Sequence, residues 1–283
     1  MVIDIHTHIF PDKIAAETIE KLSRISRAKY FSDGTLNGLL NSMEKFGVDI
    51  SVVLPVATAP RQVVKINDFA AQVTEKFSAQ GIIYFGAMHP DFEDYRAELS
   101  RVKNLGLKGI KIHPIYQGVN LDDKKFLRII ERAAELDLIV ITHAGLDIGF
   151  PGVVQCSPQM ARNVIKEIGD FKFILAHMGG WKNWDEVLTE LAGTNIFLDT
   201  AFSTGKIPAR SDFIWNAEDL NLLSIEEFMK LVKTFGAEKI LFGTDSPWSS
   251  PKESIDFIKN LPIFDVEKNK ILGTNAEKLL QME

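Results

Sequence analysis

Two histidines, His6 and His8, lie two residues apart in the opening run Val2-Ile3-Asp4-Ile5-His6-Thr7-His8. A strand alternates its side chains with period two, so both imidazoles face the same side. Two imidazoles a few ångströms apart make half of a metal site. The plainer alternative packs one ring in a core and leaves the other solvated. Asp4 shares their face and is a candidate to support them. Asp245 stands late in the chain, in Leu241-Phe242-Gly243-Thr244-Asp245-Ser246-Pro247-Trp248, a context that also suits a turn or a helix cap. Neutral imidazole and carboxylate are donors that zinc accepts, with a position left open for water in catalytic sites. His6, His8, His143 and Asp245 are therefore the candidate ligands.

Elements that would position these residues are visible in the pattern. Short apolar runs occur at Val2–His6, Ile50–Leu54, Ile82–Met88, Gly109–His113, Leu138–His143, Phe171–His177, Ile196–Asp199 and Ile240–Gly243. Amphipathic stretches separate them, among them Gly34–Lys45, Ile66–Ala79, Tyr95–Leu105, Lys124–Leu136, Ser157–Ile168, Trp184–Leu191 and Ile225–Thr234. Strands alternating with helices predict parallel βαβ units, and eight in one chain predict an α/β protein with a distorted (β/α)8 TIM barrel as a single domain, 1–283. An open doubly wound sheet is the alternative, weakened by the absence of G-x-G-x-x-G after the first run. All six histidines, His6, His8, His89, His113, His143 and His177, close or nearly close a run on its C-terminal side, where barrel active sites are built. Barrel closure would set the last strand, with Asp245, beside the first. The stretch 201–238, with Arg210 and Trp215, reads either as a functional lid or as a surface excursion. Residues 252–283 read as terminal helix, with Phe257, Ile258, Leu272, Ala276 and Leu280 available to pack.

The 283 residues, 46% hydrophobic and 25% charged, are ordinary for a globular protein. A net charge of −6 speaks against nucleic acid as a partner, and no apolar run is long enough to cross a bilayer. One cysteine, Cys156, rules out an internal disulfide framework. The expected setting is cytoplasmic, the expected partner a small-molecule substrate, and barrels of this type often pair as homodimers.

Other residues have more than one reading. His177 precedes Met178-Gly179-Gly180 and could orient substrate, act as acid or base, or ligate a second metal. Lys111 and His113 share one face of the fourth run, and His113 could ligate a second metal or contact substrate. Lys111 could contact a substrate carboxylate, bridge two metals as a carbamate, or pair with Asp4 or Asp199, because a lone buried ammonium is expensive. His89 reads as a ligand, a support or a structural residue.

These residues resemble the amidohydrolase superfamily, and more closely its amidohydrolase-2 branch, to which aminocarboxymuconate semialdehyde decarboxylase belongs. The likeness rests on Asp4-Ile5-His6-Thr7-His8, on Gly106–Pro114, on His143, on His177-Met178-Gly179-Gly180, on Phe235–Pro247 and on the tail Ile271–Glu277. The resemblance implies a distorted barrel holding Zn2+ or another divalent ion (Mn2+, Fe2+ or Co2+) on His6, His8, His143 and Asp245. It also implies that His177 sits over the substrate or metal-bound water.

Three functions follow. The leading expectation is a metal-dependent hydrolase attacking a C–N or C–O bond, with Asp245 and His177 catalytic. The alternative is a non-oxidative decarboxylase of an aromatic or dienoic acid. It would need an anion clamp from Arg61, Arg210 or Lys111, and Trp248 or Trp181 against the ring. The third is a barrel that binds metal or ligand without catalysis.

Overall fold

The computed structural model describes residues 1–282 apart from 213–215 and 217, so Trp215 lies outside the described residues. The strands are β1 (Ile3–Thr7), β2 (Ile50–Val53), β3 (Ile82–Tyr84), β4 (Gly86–Ala87), β5 (Gly109–Ile112), β6 (Ile139–Thr142), β7 (Phe173–Leu175), β8 (Phe197–Asp199) and β9 (Ile240–Leu241). Each overlaps one of the apolar runs. Two compact units divide the chain, Met1–Val53 with Ile148–Phe150 and Asp199–Glu283, and Leu54–Asp147 with Pro151–Leu198.

In the first unit β1 pairs in parallel with β2, with Ile3 opposite Ile50 and Asp4 opposite Ser51. On its other side β1 meets the chain that follows β9. The Ile5 N–H donates to the Phe242 carbonyl at 2.9 Å, and the Asp245 N–H donates to the His6 carbonyl at 2.8 Å. The expected neighbourhood of first and last strands is thus present. Helices Asp12–Ser26, Leu36–Phe46, Ile225–Phe235 and Pro251–Lys259 belong to this unit. The first was not among the stretches read from the sequence. It buries only Ala15, Ile19 and Ser23, too small an apolar stripe to stand out. At the C-terminus Ile258, Leu272, Ala276 and Leu280 are buried as expected. The stretch after β8 is anchored at Ala209 and Arg210. Ala28 bridges Ala209, and the Arg210 guanidinium reaches Ser23 Oγ at 3.1 Å and Glu20 at 3.4 Å.

In the second unit β4, β5, β6 and β7 pair in parallel in sequence order, and Phe197 and Leu198 extend the sheet beside β7. Helices Val63–Phe77, Tyr95–Asn104, Lys124–Glu135, Pro158–Ile168 and Trp184–Glu190 intervene. The third apolar run is split into β3 and β4. The buried Asn67 side chain accepts from the Ala87 N–H at 2.8 Å and donates to the Ala87 carbonyl at 3.2 Å, standing in for a neighbouring strand.

The helix Lys124–Glu135 shows how the pattern becomes structure. Phe126, Ile129, Ile130 and Ala133 form its buried stripe at helical spacing, and Asp123 caps its start by accepting from the Lys125 N–H at 2.8 Å. Asp123→Ala is expected to lower stability by about 1 kcal/mol, read as a shift of the urea midpoint with unchanged slope. No shift would show that solvent satisfies this helix end equally well.

Cys156 is buried, and burial pushes its thiol up to about 12. The native protein is expected to resist a colorimetric disulfide reagent at neutral pH and to release one equivalent of thiol once unfolded. Rapid labelling of the native state would contradict this environment. Among the described residues no helix is long and apolar enough to cross a membrane.

Candidate metal centre

Within the first unit three donor atoms converge. His6 Nε2 lies 3.2 Å from His8 Nε2, His8 Nε2 lies 3.1 Å from Asp245 Oδ1, and His6 Nε2 lies 3.7 Å from the same oxygen. His6 is buried, whereas the His8 and Asp245 side chains are 17% and 13% exposed, which opens the trio on one side. The strand explains the first two: period two turns both rings to one face. The third follows from the backbone bonds between β1 and the chain after β9, which draw Asp245 alongside His6. Asp245 adopts φ 61, a left-handed conformation that Asp tolerates better than most residues.

Asp199, fully buried at the end of β8, receives the His6 Nδ1 at 2.8 Å and accepts from the Ala201 N–H at 3.1 Å through its other oxygen. A carboxylate accepts only, so it holds the His6 proton on Nδ1 and leaves the Nε2 lone pair facing His8 and Asp245. The sequence placed Asp199 at a strand end but considered it only as a partner for Lys111. Its position beyond Phe197-Leu198 was the available signal.

Asp4 supports the centre through the backbone. Its carboxyl accepts from the His6 N–H at 3.1 Å and from the Thr244 N–H at 3.0 Å, and it also binds the Thr244 hydroxyl. Burial pushes this group up to about 7 against the pull of those bonds. It ties the strand carrying His6 to the loop carrying Asp245 without touching either imidazole in these bonds.

The second unit gathers His113, His143, Asp147 and His177. His143 and His177 are brought together because their loops run side by side. The Trp181 N–H donates to the Ala144 carbonyl at 2.8 Å and the Leu146 N–H to the Trp181 carbonyl at 3.0 Å. Gly145 (φ 87) allows this approach, since a Cβ there would fall 2.1 Å from the Trp181 nitrogen. His143 Nε2 lies 3.0 Å from the Leu146 carbonyl, an acceptor only, so Nε2 carries the proton and Nδ1 the lone pair. His177 Nε2, 3.0 Å from that Nδ1, is then the donor of the pair. Nδ1 is accordingly the atom through which His143 could ligate.

His113 stacks on His143 at 4.3 Å, and its Nδ1 accepts from the Tyr116 N–H at 3.4 Å. Its proton-bearing Nε2 lies 3.7 Å from Asp147 Oδ2, and His143 Nε2 lies 4.0 Å from the same oxygen. His113, His143 and Asp147 have the composition of a second metal cluster. The tautomers that satisfy the Tyr116 N–H and the Leu146 carbonyl instead turn both Nε2–H groups toward Asp147. Asp147, four residues after His143, escaped the sequence reading.

The remaining candidates fall as follows. Lys111 is buried on β5. His89 is buried and its Nδ1 accepts from the Asp91 N–H at 3.1 Å, a turn-forming role; desolvation lowers its proton affinity despite the nearby Asp91 charge. Arg61 is exposed, and Arg210 is engaged by Glu20 and Ser23. Trp248 is half-buried, and its N–H donates to the Asp245 carbonyl at 2.8 Å.

The chain belongs to the amidohydrolase family: the family model Amidohydro_2 matches residues 3–282. It is similar to the 2-amino-3-carboxymuconate-6-semialdehyde decarboxylase of Dictyostelium discoideum, 28% identical over 243 residues, 77% of this chain and 66% of that protein. The chain thus spans just under two thirds of that relative's length. Among solved structures it is similar to a TIM-barrel protein of Bordetella bronchiseptica, with TM-score 0.72 and 18% identity over 99% of this chain and 98% of the other. It is also similar to a dihydroxybenzoic acid decarboxylase from Polaromonas, solved with manganese and the inhibitor 2-nitroresorcinol, with TM-score 0.67 and 17% identity over 99% and 97% of the two chains. The fold is therefore the α/β TIM barrel that the strand spacing predicted.

Proposed function

We propose that this chain is a divalent-metal-dependent, non-oxidative decarboxylase acting on an aromatic or dienoic carboxylic acid. The observation that carries the metal is the convergence of His6 Nε2, His8 Nε2 and Asp245 Oδ1, with Asp199 fixing the His6 tautomer. Metal–nitrogen bonds of about 2.0–2.1 Å in a tetrahedral site place neighbouring donors about 3.3–3.4 Å apart. The separations of 3.1, 3.2 and 3.7 Å bracket that spacing. Zinc, manganese, iron and cobalt all accept this donor set. The family resemblance adds His143 as a further ligand and His177 as an acid or base, and both assignments are part of the proposal.

The choice of decarboxylation over hydrolysis is supported by the names of the Dictyostelium and Polaromonas relatives. A bound divalent ion would supply Lewis-acid polarisation of substrate oxygens. Asp245, partly exposed beside the two histidines, carries a proton to the carbon that bears the carboxylate. That carbon gains a C–H bond, its C–C bond breaks, and the electron pair returns to the π system as carbon dioxide departs. Trp248, next to Asp245 in the same turn, is the proposed wall for the planar substrate; Arg61 and Lys111 remain the proposed anion contacts.

The test is carbon dioxide release by zinc- or manganese-loaded protein from a panel of hydroxybenzoates and dienoic acids. Release that is lost on chelation and restored by metal is the expected result. Silence across the panel, with turnover of esters, lactones or amides, would replace this reading with hydrolysis. Turnover indifferent to chelation would overturn the metal assignment.

A further inference from the structure

We propose that Trp184 is a positioning residue for His177, acting through the His177 carbonyl; this rests on the reading of His177 as an acid or base in the reaction. After β7 the chain enters three consecutive left-handed residues, His177 (φ 59), Met178 (φ 54) and Gly179 (φ 84). Two of them carry side chains and are disfavoured there. Such a turn persists only when its surroundings impose it, and small changes in it swing the imidazole at its head.

The structure imposes it from two directions. Beneath, Met178 is fully buried, and a Cβ on Gly179 would sit 2.9 Å from the Leu198 side chain and 3.1 Å from Val187. At the head, the Trp184 indole N–H donates to the His177 carbonyl at 3.1 Å. A second donor to that carbonyl, the Gly180 N–H, stands at 3.4 Å. The indole is the shorter bond and comes from outside the turn. It is delivered by the first residue of the helix Trp184–Glu190, whose buried Val187 packs under Gly179 and Gly180. Lys182 Nζ lies over the rings of both Trp181 and Trp184, at 5.7 and 5.9 Å, and steadies the indole plane. Trp184 itself is only half-buried, so a role limited to core packing would put it deeper.

Trp184→Phe keeps an aromatic ring and removes the N–H. Zinc-loaded wild type and variant are compared by the ring spectra of 15N-labelled histidine, with the His177 signals identified by their loss in His177→Asn. The expected result is a His177 ring fixed in one tautomer in the wild type and averaged in the variant, with His143, its hydrogen-bond partner, responding and His6, His8 and His89 unmoved. On the best substrate of the panel, kcat is expected to fall about 10–100-fold with KM changed less than about 3-fold. Unchanged His177 signals, or a loss of KM alone, would overturn the proposal. A ring response in a protein that decarboxylates nothing would sustain the positioning role and dismiss the reaction. Should the variant fail to fold, hydrogen exchange of the wild-type Trp184 indole decides: slow exchange supports the bond, and exchange at the rate of a free indole overturns it.

Discussion

Asp245→Asn is expected to retain the fold and lose turnover by about 10²–10⁴-fold, the range that general acid–base groups contribute. The fold survives because the contacts that place residue 245 are made by backbone atoms. Its N–H donates to His6 and its carbonyl accepts from Trp248. Asn also tolerates the left-handed φ of 61. An amide oxygen can still face a metal ion, so bound metal is weakened but not abolished. What Asn cannot do is take up and return a proton at this position. Steady-state kcat, metal content by mass spectrometry and near-ultraviolet circular dichroism separate these effects. Near-normal turnover in a folded, metal-loaded variant would remove Asp245 from the proton path.

Asp199→Asn is expected to weaken metal binding by about 100-fold although it is nearly isosteric. Both oxygens of Asp199 face donors, His6 Nδ1 at 2.8 Å and the Ala201 N–H at 3.1 Å. An amide has one oxygen and one NH2 group, so it satisfies one donor and opposes the other. Keeping the bond to Ala201 turns NH2 toward His6, which then accepts at Nδ1 and carries its proton on Nε2, the atom that should ligate. Keeping the bond to His6 leaves a buried donor facing a donor at Ala201. The first outcome puts the His6 proton on the ligating atom and the second leaves a mismatched buried pair, and supports of this kind typically change metal affinity 10–100-fold. Competition with a chromophoric chelator measures it. An affinity within about 3-fold of wild type would show that Asp199 does not set the His6 tautomer.

The convergence of His6, His8 and Asp245 was legible because its geometry is local twice over. His6 and His8 need only a strand, and Asp245 needs only that the first and last strands be neighbours, which a closed barrel requires. The leading functional expectation fared differently. The ligand pattern pointed first to hydrolysis, and the named relatives favour the decarboxylase that the sequence kept as its alternative. The donor set is common to both chemistries, so the ligands could not distinguish them.

By itself the sequence determined the alternation of strand and helix, the clustering of histidines at strand ends and the face on which His6 and His8 lie. These depend on side-chain periodicity and on the order of elements along the chain. Only the tertiary structure decided that Asp199 holds His6, that Asn67 pairs with the Ala87 backbone, that Leu146 sets the His143 tautomer, and that Trp184 reaches the His177 carbonyl. Each of these is a hydrogen bond whose partner is chosen by lateral placement in space. Asn67 and Ala87 are 20 residues apart, and His6 and Asp199 are 193 apart. No periodicity encodes such a pairing, because many polar side chains could satisfy the same donor and packing alone selects which one arrives.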